Sequence, residues 1–109
     1  MLIKQLKPPP FLAPAQILLG RGLFAIVDPE DLTWLSKYRW FARKSNCCWY
    51  AVRKFVLDGK EYRMKMHRQL TGCPKDMQVH HINGNTLDNR RANLQIIDQK
   101  THAALRISR

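Results

Sequence analysis

Val79-His80-His81-Ile82-Asn83-Gly84-Asn85, followed by Asp88-Asn89-Arg90-Arg91-Ala92-Asn93-Leu94 and then by His102, decides the reading of this chain. Three of its four histidines fall in this one segment, two of them adjacent at the end of a short apolar run. Successive side chains on a strand point to opposite faces, so His80 and His81 cannot both bind one ion from an extended backbone. One can act as a ligand while the other faces a substrate. A second ligand must then come from further along the chain, and residues 98–108 offer it. Asp98 suits a helix N-cap, residues 99–107 contain no Gly or Pro, and His102 lies one turn inside the resulting helix. A strand ending at the histidine pair, a returning strand over residues 94–97 and this short helix would bring His80 and His102 together. The spacing thus points to a metal site with a spare base beside it.

These residues resemble the HNH endonucleases, also called His-Me finger or ββα-metal nucleases, and most closely their small phage and intron-associated members. The resemblance covers about residues 77–106 and extends more weakly upstream to about Leu23. It implies that His80, in the position before the motif histidine, is a metal ligand and that His81 is the general base. It further implies that Asn93 clasps the loop between the two strands and that His102 is the second metal ligand. Asn93→Asp is accordingly expected to disturb the loop less than Asn93→Ala, because an acceptor oxygen survives. The implied cofactor is one divalent metal ion (Mg, Mn, Ni, Co or Zn), and a backbone carbonyl is a natural partner for the second imidazole nitrogen. A closed structural zinc site is the main alternative, but such sites take four ligands, usually with Cys-x-x-Cys spacing. Cys47, Cys48 and Cys73 lack that spacing, vicinal cysteines point apart on a strand, and all three read as ordinary thiols of a reducing compartment. His67, in Met66-His67-Arg68, reads as an ordinary surface or core histidine.

The chain has 109 residues and a net charge of +11, an excess that points to a polyanionic partner. A membrane surface fits poorly, because the basic residues are dispersed and no long amphipathic basic helix is evident. Residues 8–19 are apolar but carry Pro8, Pro9, Pro10 and Pro14, which suits neither a membrane span nor a secretory signal. The expected setting is the cytoplasm of a bacterial host cell, with phage coding one option. Residues 1–22 read as an extended Pro-rich arm, residues 23–75 as a small sheet and helix module that docks DNA, and residues 76–109 as the nuclease motif. The fold class is α+β: a small antiparallel sheet module with a helix, followed by a C-terminal ββα-metal motif.

Within the middle module, residues 23–27 read as a strand. Asp28-Pro29-Glu30-Asp31 opens a helix with Asp28 as N-cap and Pro29 at the first helical position. Strands are expected at residues 40–43, 48–57 and 60–66. Asp58-Gly59 is the pair favoured in a two-residue type I′ hairpin. That turn sets Leu57 against Lys60, Phe55 against Tyr62, Arg53 against Met64 and Ala51 against Met66 on an apolar inward face. The opposite face pairs Val56 with Glu61, Lys54 with Arg63 and Val52 with Lys65. Like charges directly across a ladder are destabilising unless an anion sits there. Residues 37–68 hold ten Lys or Arg against Asp58 and Glu61.

Lys54, Arg63 and Lys65 are therefore expected to bind DNA, with Arg90, Arg91, Lys100 and Arg106 beside the motif as further phosphate contacts. The function expected is a metal-dependent DNA endonuclease with His81 as general base, leaving a 5′ phosphate and a 3′ hydroxyl and nicking as a monomer; a homodimer stays open. A catalytically silent DNA-binding module on the same fold is the alternative.

Overall fold

The computed structural model describes residues 13–98 and Lys100. The elements run β1 (Ala15–Gly20), β2 (Leu23–Val27), α1 (Pro29–Leu35), β3 (Phe41–Ser45), β4 (Cys48–Leu57), β5 (Lys60–Lys65), α2 (Met66–Thr71), β6 (Met77–His81), a 3₁₀ turn (Arg91–Asn93) and β7 (Leu94–Asp98). All strand ladders are antiparallel, in three small sheets: β1-β2, β3-β4-β5 and β6-β7. The architecture is a small α+β fold. Among the described residues no helix is long and apolar enough to cross a membrane.

Residues 15–20, read from sequence as part of the extended Pro-rich arm, form the first strand of a hairpin with β2. The prolines that suggested an arm end at Pro14, and the alternation after them is a strand signal: Leu19 is buried while Leu18 and Gly20 face out. Asp28 stands at the N-cap of α1 with Pro29 behind it, but its carboxylate caps nothing in its own helix. It accepts instead from the Arg91 backbone N–H at 3.0 Å. Trp40 stays outside β3, because its buried indole donates to the Leu35 carbonyl at the end of α1 (2.8 Å).

The β4-β5 hairpin turns at Asp58 and Gly59, both with positive φ (52° and 76°), and its ladder has the register the turn dictates, from Leu57↔Lys60 to Val52↔Lys65. It stops one pair short of Ala51 and Met66. Met66 is fully buried and opens α2, so core packing takes it from the strand. Beyond Arg53 the hairpin leaves the core, and Tyr62, Val56 and Leu57 are exposed.

One cluster holds the molecule together: Leu19, Ala25, Val27, Leu35, Trp40, Ala51, Met66 and Leu70, with Leu87 and Leu94 packed against it. Those last two come from the motif, so motif and upstream elements share a core. The join is also hydrogen-bonded. Ile26 N donates to the Leu87 carbonyl (2.8 Å) and Asn89 N donates to the Ile26 carbonyl (2.7 Å), forming a parallel bridge between β2 and the motif loop. Asp98, expected as an N-cap, is the last residue of β7 and pairs with Met77. The helix expected at residues 99–107 lies outside the described residues.

Candidate active site

Strand β6 delivers His80 and His81 at its C-terminal end, where His81 pairs with Leu94 and His80 with Gln95. The chain then leaves the ladder for the loop of residues 82–93, whose polar side chains are spent on holding its shape. Asn93, itself buried, is the central tie. Its Oδ1 accepts from Asn83 N, and its Nδ2 donates both to Asn83 Oδ1 and to the Asp88 carbonyl, each at 2.9 Å. Asn83 Nδ2 donates to Asp88 Oδ2 (2.8 Å), and Asn83 Oδ1 also accepts from Asn85 N (2.9 Å).

Asp88 is buried against Arg90, which grips it through Nε and Nη2 at 2.8 and 2.6 Å. The hydrogen bonds from Arg90 and Asn83 hold the Asp88 carboxyl below the usual carboxylate range, outweighing the opposing effect of burial. Arg91 reaches out of the loop to the buried Asp31 of α1, again through two bonds (2.9 Å each), and donates to the Leu70 carbonyl (3.1 Å). Both arginines, expected at phosphates, thus have carboxylate partners within the chain, and their first task is to fasten the loop. A bidentate guanidinium–carboxylate pair fixes geometry as well as charge.

His81 lies inward, 6% exposed, with Nε2 2.9 Å from Asn89 Oδ1. Its ring meets that of His67 edge to face, with centroids 5.0 Å apart, and lies 6.4 Å from the Tyr50 ring. Burial lowers the His81 pKa, and the neighbouring His80 adds to the lowering, against the Asn89 hydrogen bond and the Asp88 charge, which raise it. His67 is pushed down to about 3, chiefly by burial and then by His81, Lys65 and Arg68. At neutral pH both rings are therefore neutral, and neutral imidazole is the form that accepts a proton.

A cleft of about 330 Å³ opens beside them, lined by His80, His81, His67, Tyr50, Lys65 and Thr86 among others. Cys47 and Cys48 also line it, with sulfurs 3.3 Å apart. Strand alternation does not separate them, because Cys47 sits in the turn that follows Asn46 (φ 58°) and only Cys48 belongs to β4.

Tyr50, Val52, Lys54 and their partners Lys65 and Arg63 share one face of the β3-β4-β5 sheet, since directly paired residues lie on the same side and alternate residues repeat it. The near end of this face is the cleft wall, through Tyr50 and Lys65; its far end is the exposed Lys54–Arg63 pair. Lys65 lies over the Tyr50 ring (5.0 Å) and Lys54 over Phe41 (5.7 Å), while Arg63 is 3.6 Å from Glu61. Lys100 is exposed, and His102 and Arg106 lie outside the described residues. Among the described residues no group of three or more His, Cys, Asp or Glu is placed to hold a metal ion.

Three residues of this site escaped the sequence reading. His67 has a bland local context, and only the fold carries α2 to His81. Tyr50 falls within the strand expected at residues 48–57, where nothing in the sequence sets it apart. Asn89 is an asparagine in a polar loop, and nothing in its neighbourhood says that it is fully buried.

Residues 66–104 match the family model described as HNH endonuclease, a span that includes α2, the histidine pair, the loop and β7. No curated protein and no solved structure matches the chain.

Proposed function

We propose that this chain, which carries the HNH endonuclease segment at residues 66–104, is a metal-dependent DNA endonuclease in which His81 is the general base. The observation that carries the reading is a buried, neutral imidazole at the end of a basic sheet face, in a cleft that also holds His80. The net charge of +11 suits a polyanionic substrate, and Lys54, Arg63 and Lys65 lie along the line a phosphodiester backbone would take into the cleft. Lys100, Arg106 and whatever reach Arg90 and Arg91 retain from their carboxylates would serve phosphates flanking the motif.

His81 accepts a proton from a water placed in line with the scissile phosphorus. As the water oxygen bonds to phosphorus, the bond to the 3′ oxygen breaks and the departing alkoxide takes a proton from solvent, giving a 5′ phosphate and a 3′ hydroxyl. Asn93 takes no proton; it holds the loop that follows His81. His80 lines the same cleft and sits at an alternate strand position from His81, so an imidazole ligand is available without using the base. His80 and His102 would hold one divalent cation. When bound, such an ion supplies Lewis-acid stabilisation of charge on the phosphate and on the departing oxygen. A chain with one base and one ion cuts one strand per encounter, so nicking by a monomer is the expected outcome.

The test is supercoiled-plasmid relaxation across a panel of divalent metals, with wild type beside His81→Ala. Wild type should nick, and His81→Ala should lose about 10²- to 10⁴-fold in rate while binding DNA as before. A wild-type protein that binds DNA but never nicks is the silent DNA-binding module instead, and equal rates for the two proteins would remove His81 from the chemistry.

A further inference from the structure

We propose that Asn89 is the positioning residue for His81: its side-chain oxygen fixes the imidazole as the tautomer protonated on Nε2, so that Nδ1 carries the lone pair. The consequence for catalysis rests on the nuclease reading; the tautomer itself does not.

Geometry comes first. The Oδ1–Nε2 separation is 2.9 Å, and the contact itself is buried, with Asn89 fully enclosed and His81 6% exposed where it lines the cleft. In the absence of competing water, an amide oxygen at that distance requires a hydrogen on the nitrogen it faces. The role a backbone carbonyl could play is taken here by a side chain, and its backbone is rigidly placed. Asn89 N donates to the Ile26 carbonyl, Ile26 N donates to the Leu87 carbonyl, and Asp88 between them is locked by Arg90 and Asn83. The ring has little freedom to turn away, because His67 packs edge to face against it.

The second observation is that Asn89 Nδ2 is buried with no hydrogen-bond partner among the described residues. Buried donors are almost always satisfied, so an unpartnered one calls for a reason. Packing alone gives none, since an apolar side chain of similar volume would fill the space without stranding a donor. Holding an acceptor against Nε2 does give one: the amide is kept for its oxygen. Turning the amide over would aim Nδ2 at the ring, force the opposite tautomer and strand the oxygen instead. The two arrangements therefore predict opposite protonation of His81.

Long-range ¹H–¹⁵N NMR of the full-length, metal-free protein reads the tautomer directly, with Asn89→Asp and Asn89→Ala beside wild type. Wild type should show His81 protonated on Nε2. Asn89→Asp keeps the acceptor and should keep that tautomer, whereas Asn89→Ala should give a mixture. In plasmid nicking with added manganese, Asn89→Ala should lose about 10- to 100-fold in kcat at nearly constant KM, and Asn89→Asp should recover most of that loss. A bare Nε2 in wild type overturns the proposal, as does an Asn89→Ala protein with wild-type tautomer and kcat. Should Asn89→Ala fail to fold, wild type and Asn89→Asp still decide the matter. Failure of wild type to nick would remove the nuclease reading while leaving the tautomer measurement to be judged on its own.

Discussion

Replacing Asn93 by aspartate exchanges one NH₂ for one oxygen, and the loop network turns that exchange into a large effect. Asn93 Nδ2 donates to two acceptors, Asn83 Oδ1 and the Asp88 carbonyl, both at 2.9 Å. An aspartate oxygen there would face both with no hydrogen to offer. Asn83 cannot turn its amide to help, because its Oδ1 also receives Asn85 N and its Nδ2 is spent on Asp88. The surviving bond, from Asn83 N to Oδ1, offsets little of this. Asn93→Ala loses three hydrogen bonds, worth about 0.5–1.5 kcal/mol each, and leaves Asn83 N without its acceptor, for a total of about 2–4 kcal/mol. Asn93→Asp at pH 7 should cost at least as much, contrary to the sequence expectation that a retained acceptor would make it milder. Its pH dependence separates the two variants. Burial and two facing acceptors raise the folded-state pKa of the new carboxyl above its unfolded value near 3.9, so the folded state binds the extra proton. Relative to Asn93→Ala, Asn93→Asp should therefore regain stability as the pH falls from 7 toward 5. Urea unfolding at both pH values measures this. Asn93→Asp more stable than Asn93→Ala by 1 kcal/mol or more at pH 7 would refute the donor role assigned to Nδ2.

Three further outcomes are expected. If the hairpin face meets phosphates, Lys54→Ala and Lys65→Ala should each flatten the slope of log affinity against log salt by about one unit. Arg63→Ala should do less, because Glu61 already sits 3.6 Å away, and unchanged slopes in all three would move DNA off this face. His67 has a folded-state pKa near 3 against 6.5 for an ordinary histidine, so below pH 6.5 the unfolded chain takes a proton the folded one refuses. Its contribution is complete above pH 6.5 and is lost as the pH falls toward 3, by up to about 1.4 kcal/mol per pH unit. Urea midpoints between pH 7.5 and 5 should fall less steeply for His67→Gln than for wild type, and parallel slopes would contradict this. Two imidazole ligands favour nickel, cobalt, manganese or zinc over magnesium. Calorimetric titration of the free protein should show that order, and magnesium binding more tightly than nickel or cobalt would discard His80 and His102 as the ligand pair.

The parts of the fold that were legible in the sequence are those governed by local chemistry. Asp58-Gly59 dictates a turn, the turn dictates a register, and the whole ladder from Leu57↔Lys60 to Val52↔Lys65 follows. Asp28-Pro29 likewise announces α1. What stayed illegible depends on contacts between distant residues. Met66 leaves its strand because the core claims it, and Trp40 leaves its own because its indole N–H needs the Leu35 carbonyl. The sequence marks Arg90 and Arg91 as basic, but the carboxylate that occupies Arg91 becomes visible only when Asp31, far back in the chain, is brought to it. For the candidate site, the histidine pair stands out by its spacing and Asn93 by the resemblance. Asn89 does not, since its importance lies in complete burial, and a loop of polar residues gives no periodic signal of which side chain turns inward.

Much of what holds the loop comes from outside the family segment. Residues 66–104 contain the loop and the histidines, yet the loop borrows a strand edge from Ile26 and carboxylates from Asp28 and Asp31, and the His81 ring shares its surroundings with Tyr50 of β4. A base is effective only when its ring is held to a fraction of an ångström, and a short loop between two five-residue strands cannot supply that stiffness by itself. In the proposed nuclease reading the upstream half therefore has two tasks on one element. Strand β4 places Tyr50 beside His81 and, four residues on, Lys54 on the same face. At the rise of an extended strand the two are about 13 Å apart. On the proposed reading, a backbone seated on Lys54 and Lys65 would be set at a fixed distance from His81 by the same strand that places Tyr50 beside its ring, so substrate register and base geometry would be determined together.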